Sequence, residues 1–480
     1  MSLIRSSLSL ISLPVSTRSF SIVPTSLALL SSSLILLYIS STSSLFNHSH
    51  HSSYFLYSPP SGFSSVAREN DQGLWPLARS SPGNSSAVLI LREGGKSSNS
   101  MRVRETDNGS SHLGGNGQSS KNEIFHDKCL FMEDYKQMNK SFTIYVYPHK
   151  KDDPFANVLL PVDFEPGGNY ASESYFKKLL MKSHFITKDP FKADLFFLPF
   201  SIARLRYDPR VDVEGIPDFI RGYISHIKQN FPYWNRTNGA DHFYVACHSA
   251  GRSAMEKTEE VMFNAIQVVC SSSYFLSGYV PHKDASLPQI WPRKGSPHGV
   301  DSLNRKRLAF FAGSINSPVR EKLLMNWQND SEIFVHFGHL QTPYSDQLLG
   351  SKFCLHVKGF EVNTARISDS LYYGCIPVVI ANHYDLPFQD ILNWMRFSLV
   401  VPTLDIPLLK RILQQVSLEE YERLQRNVLK VRKHFRWNPF PVDYDAFYMV
   451  MYELWLRRNV VRIPLTKNIR HRPNYTNDSR

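Results

Sequence analysis

Two side chains one helical turn apart, Arg366 and Asp369, carry the most telling chemistry in this sequence. They lie in SKFCLHVKGFEVNTARISDSLYYGCIPVVI, residues 351–380. Asn363 or Thr364 can cap a short helix whose second or third residue is Arg366. Free backbone N–H groups at the positive end of the helix dipole, together with a guanidinium, suit a diphosphate. Asp369, on the same face, could take two ribose hydroxyls. The same spacing also fits an Arg366–Asp369 pair on a solvated helix, and spacing alone leaves both readings open.

The surrounding pattern says what holds these groups. Phe353, Leu355 and Val357 alternate before Gly359, and Pro377 to Ile380 form an apolar, β-branched run after Gly374, so the unit reads as strand, loop, helix, turn, strand. Ile367 and Leu371 fall on another helix face and would pack on the sheet. The pattern recurs: strands are expected in FTIYVYP after Ser141, at 193–200, 242–247 and 308–311, and in EIFVHF and FSLVVP. Helices are expected in NYASESYFKKLLMKS, with Tyr175, Leu179 and Met181 inward, in 216–234 opened by Pro217, and from Pro318 with Arg320. Two more follow in PLLKRILQQV and SLEEYERLQRNVLKVRKHF, and a last one, AFYMVMYELWLRR, should pack back on the first domain. Alternating strands and helices imply parallel α/β sheets. Ligands would then lie beyond the carboxyl ends of the strands, where the turns at Gly313, Gly359 and Cys247-His248 fall.

Arg320, Lys358 and the N–H groups at Gly313 and Gly359 are further candidates for the diphosphate. Glu361 could touch the group that a diphosphate carries or be an ordinary loop carboxylate. His248, at a strand end and titrating near neutrality, is the candidate base, with Asp241, His242 and Glu173 as rivals and a structural histidine as the bland alternative. Asp443-Tyr444-Asp445 could be a D-x-D metal motif or a helix cap. The cap is the better reading, because Asp is a routine residue at a helix start, and a guanidinium with a helix terminus can hold a diphosphate without an ion. No cofactor and no metal are therefore expected.

The chain has 480 residues, 42% hydrophobic and 13% aromatic, with net charge +12. Residues 1–140 hold 12 Lys/Arg and 9 Asp/Glu, so +9 belongs to the rest. That excess suits an anionic ligand, and no nucleic-acid motif accompanies it. Five scattered cysteines without CxxC spacing argue against zinc and allow one or two bridges with a thiol left over. The expected plan is a cytosolic tail (1–19), a transmembrane signal anchor (20–39), a low-complexity lumenal stem (40–125), an acceptor-side α/β domain (126–300), a nucleotide-side α/β domain (301–465) and a polar tail (466–480). A cleaved signal or transit peptide is the alternative reading of 20–39. Eight N-x-S/T triplets, at Asn47, Asn84, Asn108, Asn139, Asn235, Asn329, Asn474 and Asn477, agree with a lumenal body.

Residues 351–380 resemble the signature of exostosin-like plant glycosyltransferases. YASE from Tyr170, DPFKADLFFLPF from Asp189, PYWNRTNGADHFYVACH from Pro232, KDASLP from Lys283 and LAFFAG from Leu308 resemble the same family in the same order. Asp369 stands where many relatives carry Glu. The resemblance implies a GT-B fold, two Rossmann-like domains facing a cleft, and an inverting transfer from a UDP-sugar. It also implies a polysaccharide acceptor and a single-pass type II protein of the Golgi membrane, with association with itself or other glycosyltransferases left open. Among characterised members the sequence looks most like pectin xylosyltransferases that decorate xylogalacturonan. One departure stands out: the family has His-Asp-Trp at the turn where this chain has His248-Ser249-Ala250. A non-catalytic glycan-binding or partner subunit on the same fold is the rival expectation.

Overall fold

The computed structural model describes residues 124–275, 278–295 and 304–459. The anchor, the stem and the polar tail expected from sequence lie outside them. No helix among the described residues is long and apolar enough to cross a membrane.

Eleven strands among the described residues form two sheets, both wholly parallel. The first runs β2-β1-β3-β4-β5-β6: β1 Ile144–Val146, β2 Ile186–Thr187, β3 Leu195–Phe197, β4 His242–Ala246, β5 Ile266–Val269 and β6 Ala285–Ser286. The second runs β11-β10-β9-β7-β8: β7 Arg307–Gly313, β8 Ile333–Phe337, β9 Ser351–Val357, β10 Ile376–Ile380 and β11 Leu399–Val400. Helices cover both, as a parallel sheet requires. The ones that matter below are α1 Lys128–Ser141, α2 Ala171–Leu180, α3 Ile216–Asn230, α4 Pro318–Trp327, α5 Arg366–Tyr372, α6 Leu418–Val431 and α7 Ala446–Arg457.

The sequence missed α1. Phe131, Tyr135 and Met138 bury one face of it, at spacings of four and three. Asp127 caps it, its side chain accepting from Leu130 N–H at 2.9 Å. In α2, Tyr175 and Leu179 are buried as expected, but Met181 lies just past the helix end and is 42% exposed. α7 does return to the first sheet. Phe447 packs on Phe176 and Phe185, Tyr452 donates to Asp134, and Arg457 donates to the Asp284 carbonyl beside β6. Asp445 caps this helix by accepting from Tyr448 N–H, and Asp443 accepts from Tyr135. The D-x-D triplet is thus committed to structure.

Adjacent parallel strands are also clamped covalently. Cys247 and Cys270, just past the ends of β4 and β5, form one disulfide; Cys354 in β9 and Cys375 before β10 form the other, and exposed Cys129 is the free thiol.

The carboxyl ends of the two sheets meet. Beyond β5, Ser271 donates to Glu361, and Ser272 donates to the Asp385 carbonyl beyond β10. The chain joining the sheets contributes Gln289, which accepts from Asn363 Nδ2 at 2.7 Å and, through its carbonyl, from Ser368 Oγ at 2.8 Å.

Candidate active site

At this junction lies a cavity of about 350 Å³, lined from β7, α4 and α5, with the sheet-joining segment and the loop at Asn169-Tyr170 closing it. Arg366, Arg320 and Asp369 all line it. Arg366 is the first residue of α5, one or two positions earlier in the helix than expected, and its Nε and Nη2 donate to the Ala312 carbonyl at 3.0 and 2.7 Å. Arg320, 3% exposed, donates to the carbonyls of Val357 and Ser314 at 3.0–3.2 Å. Both guanidiniums lie over the Phe311 ring, at 5.1 and 5.5 Å.

Neither has a carboxylate partner among the described residues. Burial, and then the neighbouring Arg366, push Arg320 down to about 10. Two adjoining cations held only by carbonyl dipoles form a site whose charge balance an anion would complete.

The glycines explain the close fit. A Cβ on Gly313 would sit 2.4 Å from Arg366 Nη2, and one on Gly359 would sit 2.8 Å from both Arg320 Nη2 and Asn316 Oδ1. Glycine at these two turns is therefore what lets the guanidiniums lie against the strand ends.

Asp369 is not paired with Arg366. Arg293, from the segment joining the sheets, holds it bidentately at 2.8 and 3.0 Å. Burial raises the Asp369 carboxyl, while Arg293 and then Arg366 oppose the rise. Sequence reasoning missed Arg293, which stands 76 residues away in an irregular stretch.

A relay fixes the start of α5. Thr364 Oγ1 accepts from Arg366 N–H at 3.2 Å and lies 3.1 Å from His356 Nδ1, whose Nε2 is 2.8 Å from the Val362 carbonyl. The Val362 carbonyl needs a donor, so His356 carries its proton on Nε2 and Nδ1 accepts from Thr364. Burial pushes His356 down to about 3. Neither expected residue is the helix cap, which is Ala365 without a side-chain bond; Thr364 accepts from Arg366 N–H from the position before it, and Asn363 reaches across to Gln289. With seven residues, α5 supplies little dipole, and the guanidiniums carry the electrostatics.

His248, Lys358 and Glu361 stand nearby but do not line this cavity. His248 packs on Tyr170, which does, at 4.5 Å between ring centroids. Ala250 N–H donates to its Nδ1 at 2.9 Å, so the neutral ring carries its proton on Nε2. Burial, and then Arg206, push it down to about 4. In this geometry His248 is a hydrogen-bond donor rather than a proton acceptor. Glu361 accepts from Ser271 through Oε2, and Lys358 is held by its backbone, N–H to Ile380 and carbonyl from Ser317.

The rival bases are engaged elsewhere. Asp241 accepts from Arg236, Thr237 and His242, and His242 in turn meets Tyr147, all at the amino end of β4 away from the cavity. Glu173 accepts from Ser201 Oγ and from the N–H groups of Ala203 and Cys247. Among the described residues no group of three His, Cys, Asp or Glu side chains is arranged to hold a metal ion.

Residues 138–416 match the Exostosin GT47 domain, more than half of the chain. The chain belongs to the exostosin GT47 family. A probable glycosyltransferase of Arabidopsis thaliana is 38% identical over 351 residues, covering 71% of this chain and 66% of its own. A second from the same plant is 35% identical over 367 residues, covering 74% and 76%. A probable beta-1,4-xylosyltransferase, IRX10L of Arabidopsis thaliana, is 28% identical over 278 residues, covering 54% and 67%. The chain thus spans about two thirds to three quarters of the length of these GT47 relatives. The GT47 match contains β7, β9, α4 and α5, the elements that carry Arg320, Arg366 and Asp369; Arg293 lies within it too.

Proposed function

We propose that the protein is an inverting glycosyltransferase that moves a sugar, xylose first among the candidates, from a UDP donor to a plant cell-wall polysaccharide such as pectin. The observation that carries this reading is the pair of guanidiniums, Arg320 and Arg366, without a carboxylate partner among the described residues, on a cavity at the facing ends of two parallel sheets. Family membership supports the same reaction class.

In this reading the departing diphosphate lies against Arg366 and Arg320, whose positive charge stabilises the negative charge that develops as the glycosidic bond breaks. Their charge meets the need a metal ion would otherwise serve, so transfer is expected to persist in a chelator. Asp369, oriented by Arg293, faces the ribose, and Tyr344 closes the cavity near the nucleoside. Of the nearby groups that could take the acceptor proton, Glu361 is favoured over His248. Its Oε1 has no partner among the described residues, whereas the ring of His248 offers N–H. The two disulfides agree with a lumenal, oxidising site such as the Golgi.

The test is titration of the full-length protein with UDP and a panel of UDP-sugars, followed by transfer assays on Arg366→Ala. The reading expects nucleotide binding that the substitution weakens, together with turnover that it abolishes. Unaltered UDP affinity in Arg366→Ala would overturn it. Nucleotide or glycan binding with no turnover under any donor would favour the non-catalytic subunit that the His248-Ser249 departure suggests.

A further inference from the structure

A second, larger cavity of about 530 Å³ shares Trp291, Arg293 and Asp369 with the first and opens on the other side of the Arg293–Asp369 pair. Its walls come from the sheet-joining segment, from α5, and from the chain between α6 and α7, with Tyr175 and Glu165 closing it from the first half. We propose that it seats the acceptor, and that this acceptor is a glycan bearing uronate carboxylates. The inference rests on the transferase reading above and adds the place and charge of the second substrate.

Charge is the first argument. Lys294, Arg432, Lys433 and Arg436 line the cavity in addition to Arg293. None of these four has an acidic partner among the described residues, and Lys433 lies over the Tyr444 ring. Two carboxylates face them. Asp369 is already taken bidentately by Arg293, and Glu165 accepts from Tyr175. A neutral glycan would leave this imbalance in place, whereas a row of carboxylates would pair with it.

The second argument is what surrounds the cations. Trp437, with 8% of its surface exposed, lines the cavity beside them. Trp291 is 40% exposed on the same wall and offers a flat apolar face, to which the C–H face of a pyranose is complementary. The size suits a bound ligand rather than a packing defect. The shared wall places a chain seated here next to the donor.

Full-length protein is titrated with galacturonate oligomers, with the same oligomers methyl-esterified, with neutral xylo-oligosaccharides and, separately, with UDP. The acid form is expected to bind, the ester and the neutral glycan at least about tenfold more weakly, with affinity falling as salt rises. The Arg432→Ala/Arg436→Ala variant should lose about ten- to hundredfold for the acid oligomer and keep its UDP affinity. Lys294→Gln, at an exposed position, gives the same direction should that double variant fail to fold. Equal binding of acid and ester, or unaltered acid binding in the variants, overturns the inference. So does loss of UDP rather than glycan, which would assign the cavity to the donor. UDP binding that fails in the unaltered protein defeats the nucleotide reading instead, and the glycan titration still decides this one.

Discussion

Two regions of the molecule, the networks around Glu173 and at the start of β4 and the pair of cavities beside α5, treat charge in opposite ways. In the first, charged and polar groups are tied into local networks: Glu173 meets three donors, and Asp241, His242, Tyr147 and Arg236 close on one another. In the second, Arg320 and Arg366 reach carbonyls and the Phe311 ring, and four more cations face the neighbouring cavity without acidic partners among the described residues. A satisfied network builds a wall, and an unsatisfied one waits for a ligand. On the proposed function, the contrast assigns stability to the first region and ligand recognition to the second, with Arg293 on the connecting segment serving both cavities.

The largest test of that contrast is Glu173→Ala. Removing a buried carboxylate that accepts three hydrogen bonds should cost about 3–5 kcal/mol in denaturant unfolding, with the remaining folded protein binding UDP normally. Arg366→Ala should do the reverse. It should lose about 2 kcal/mol or more in UDP affinity, roughly thirtyfold in Kd by calorimetry, with little change in unfolding midpoint.

Gly313→Ala sharpens the comparison further, because its Cβ displaces the Arg366 guanidinium from the Ala312 carbonyl without removing any charge. About 1 kcal/mol in UDP affinity, roughly fivefold, is expected. A loss as large as that of Arg366→Ala would instead mean that position outweighs charge. Smallest is His248→Gln, which keeps a side-chain N–H and should hold kcat within about threefold.

The same histidine contributes to the pH dependence of stability. Its folded value lies below that of the unfolded chain, so below about 6.5 the unfolded state binds the additional proton. Its share of stability is thus lost as pH falls from about 6.5 toward about 4, alongside that of His356 and His434, and His248→Gln should make that part of the melting profile shallower.

Much of this was readable in the sequence because it depends on local period. The strand–loop–helix–strand unit, the facing of Arg366 and the return of α7 all follow from spacing within a single element. What escaped depends on distance. Arg293 finds Asp369 across 76 residues from a stretch with no period at all, and the cysteine pairs depend on which strands lie side by side. His356 was hidden differently: it occupies an unremarkable position in β9, and its role shows only when Thr364 and Val362 fold over it. Helix α1 was lost to the composition of the polar stretch before it, although Phe131, Tyr135 and Met138 keep helical register.

The last helix carries a consequence for how the molecule is made. Because α7 is the final described element and covers α1, α2 and the edge at β6, the first half cannot complete its own core while it is being synthesised. Phe176 and Phe185 must wait, uncovered, until residues 446–457 have left the ribosome. A nascent chain stalled or cut before that point would present those rings to chaperones, so a premature stop near the carboxyl end should be disposed of as an unfolded protein, even with Arg320, Arg366 and Asp369 intact.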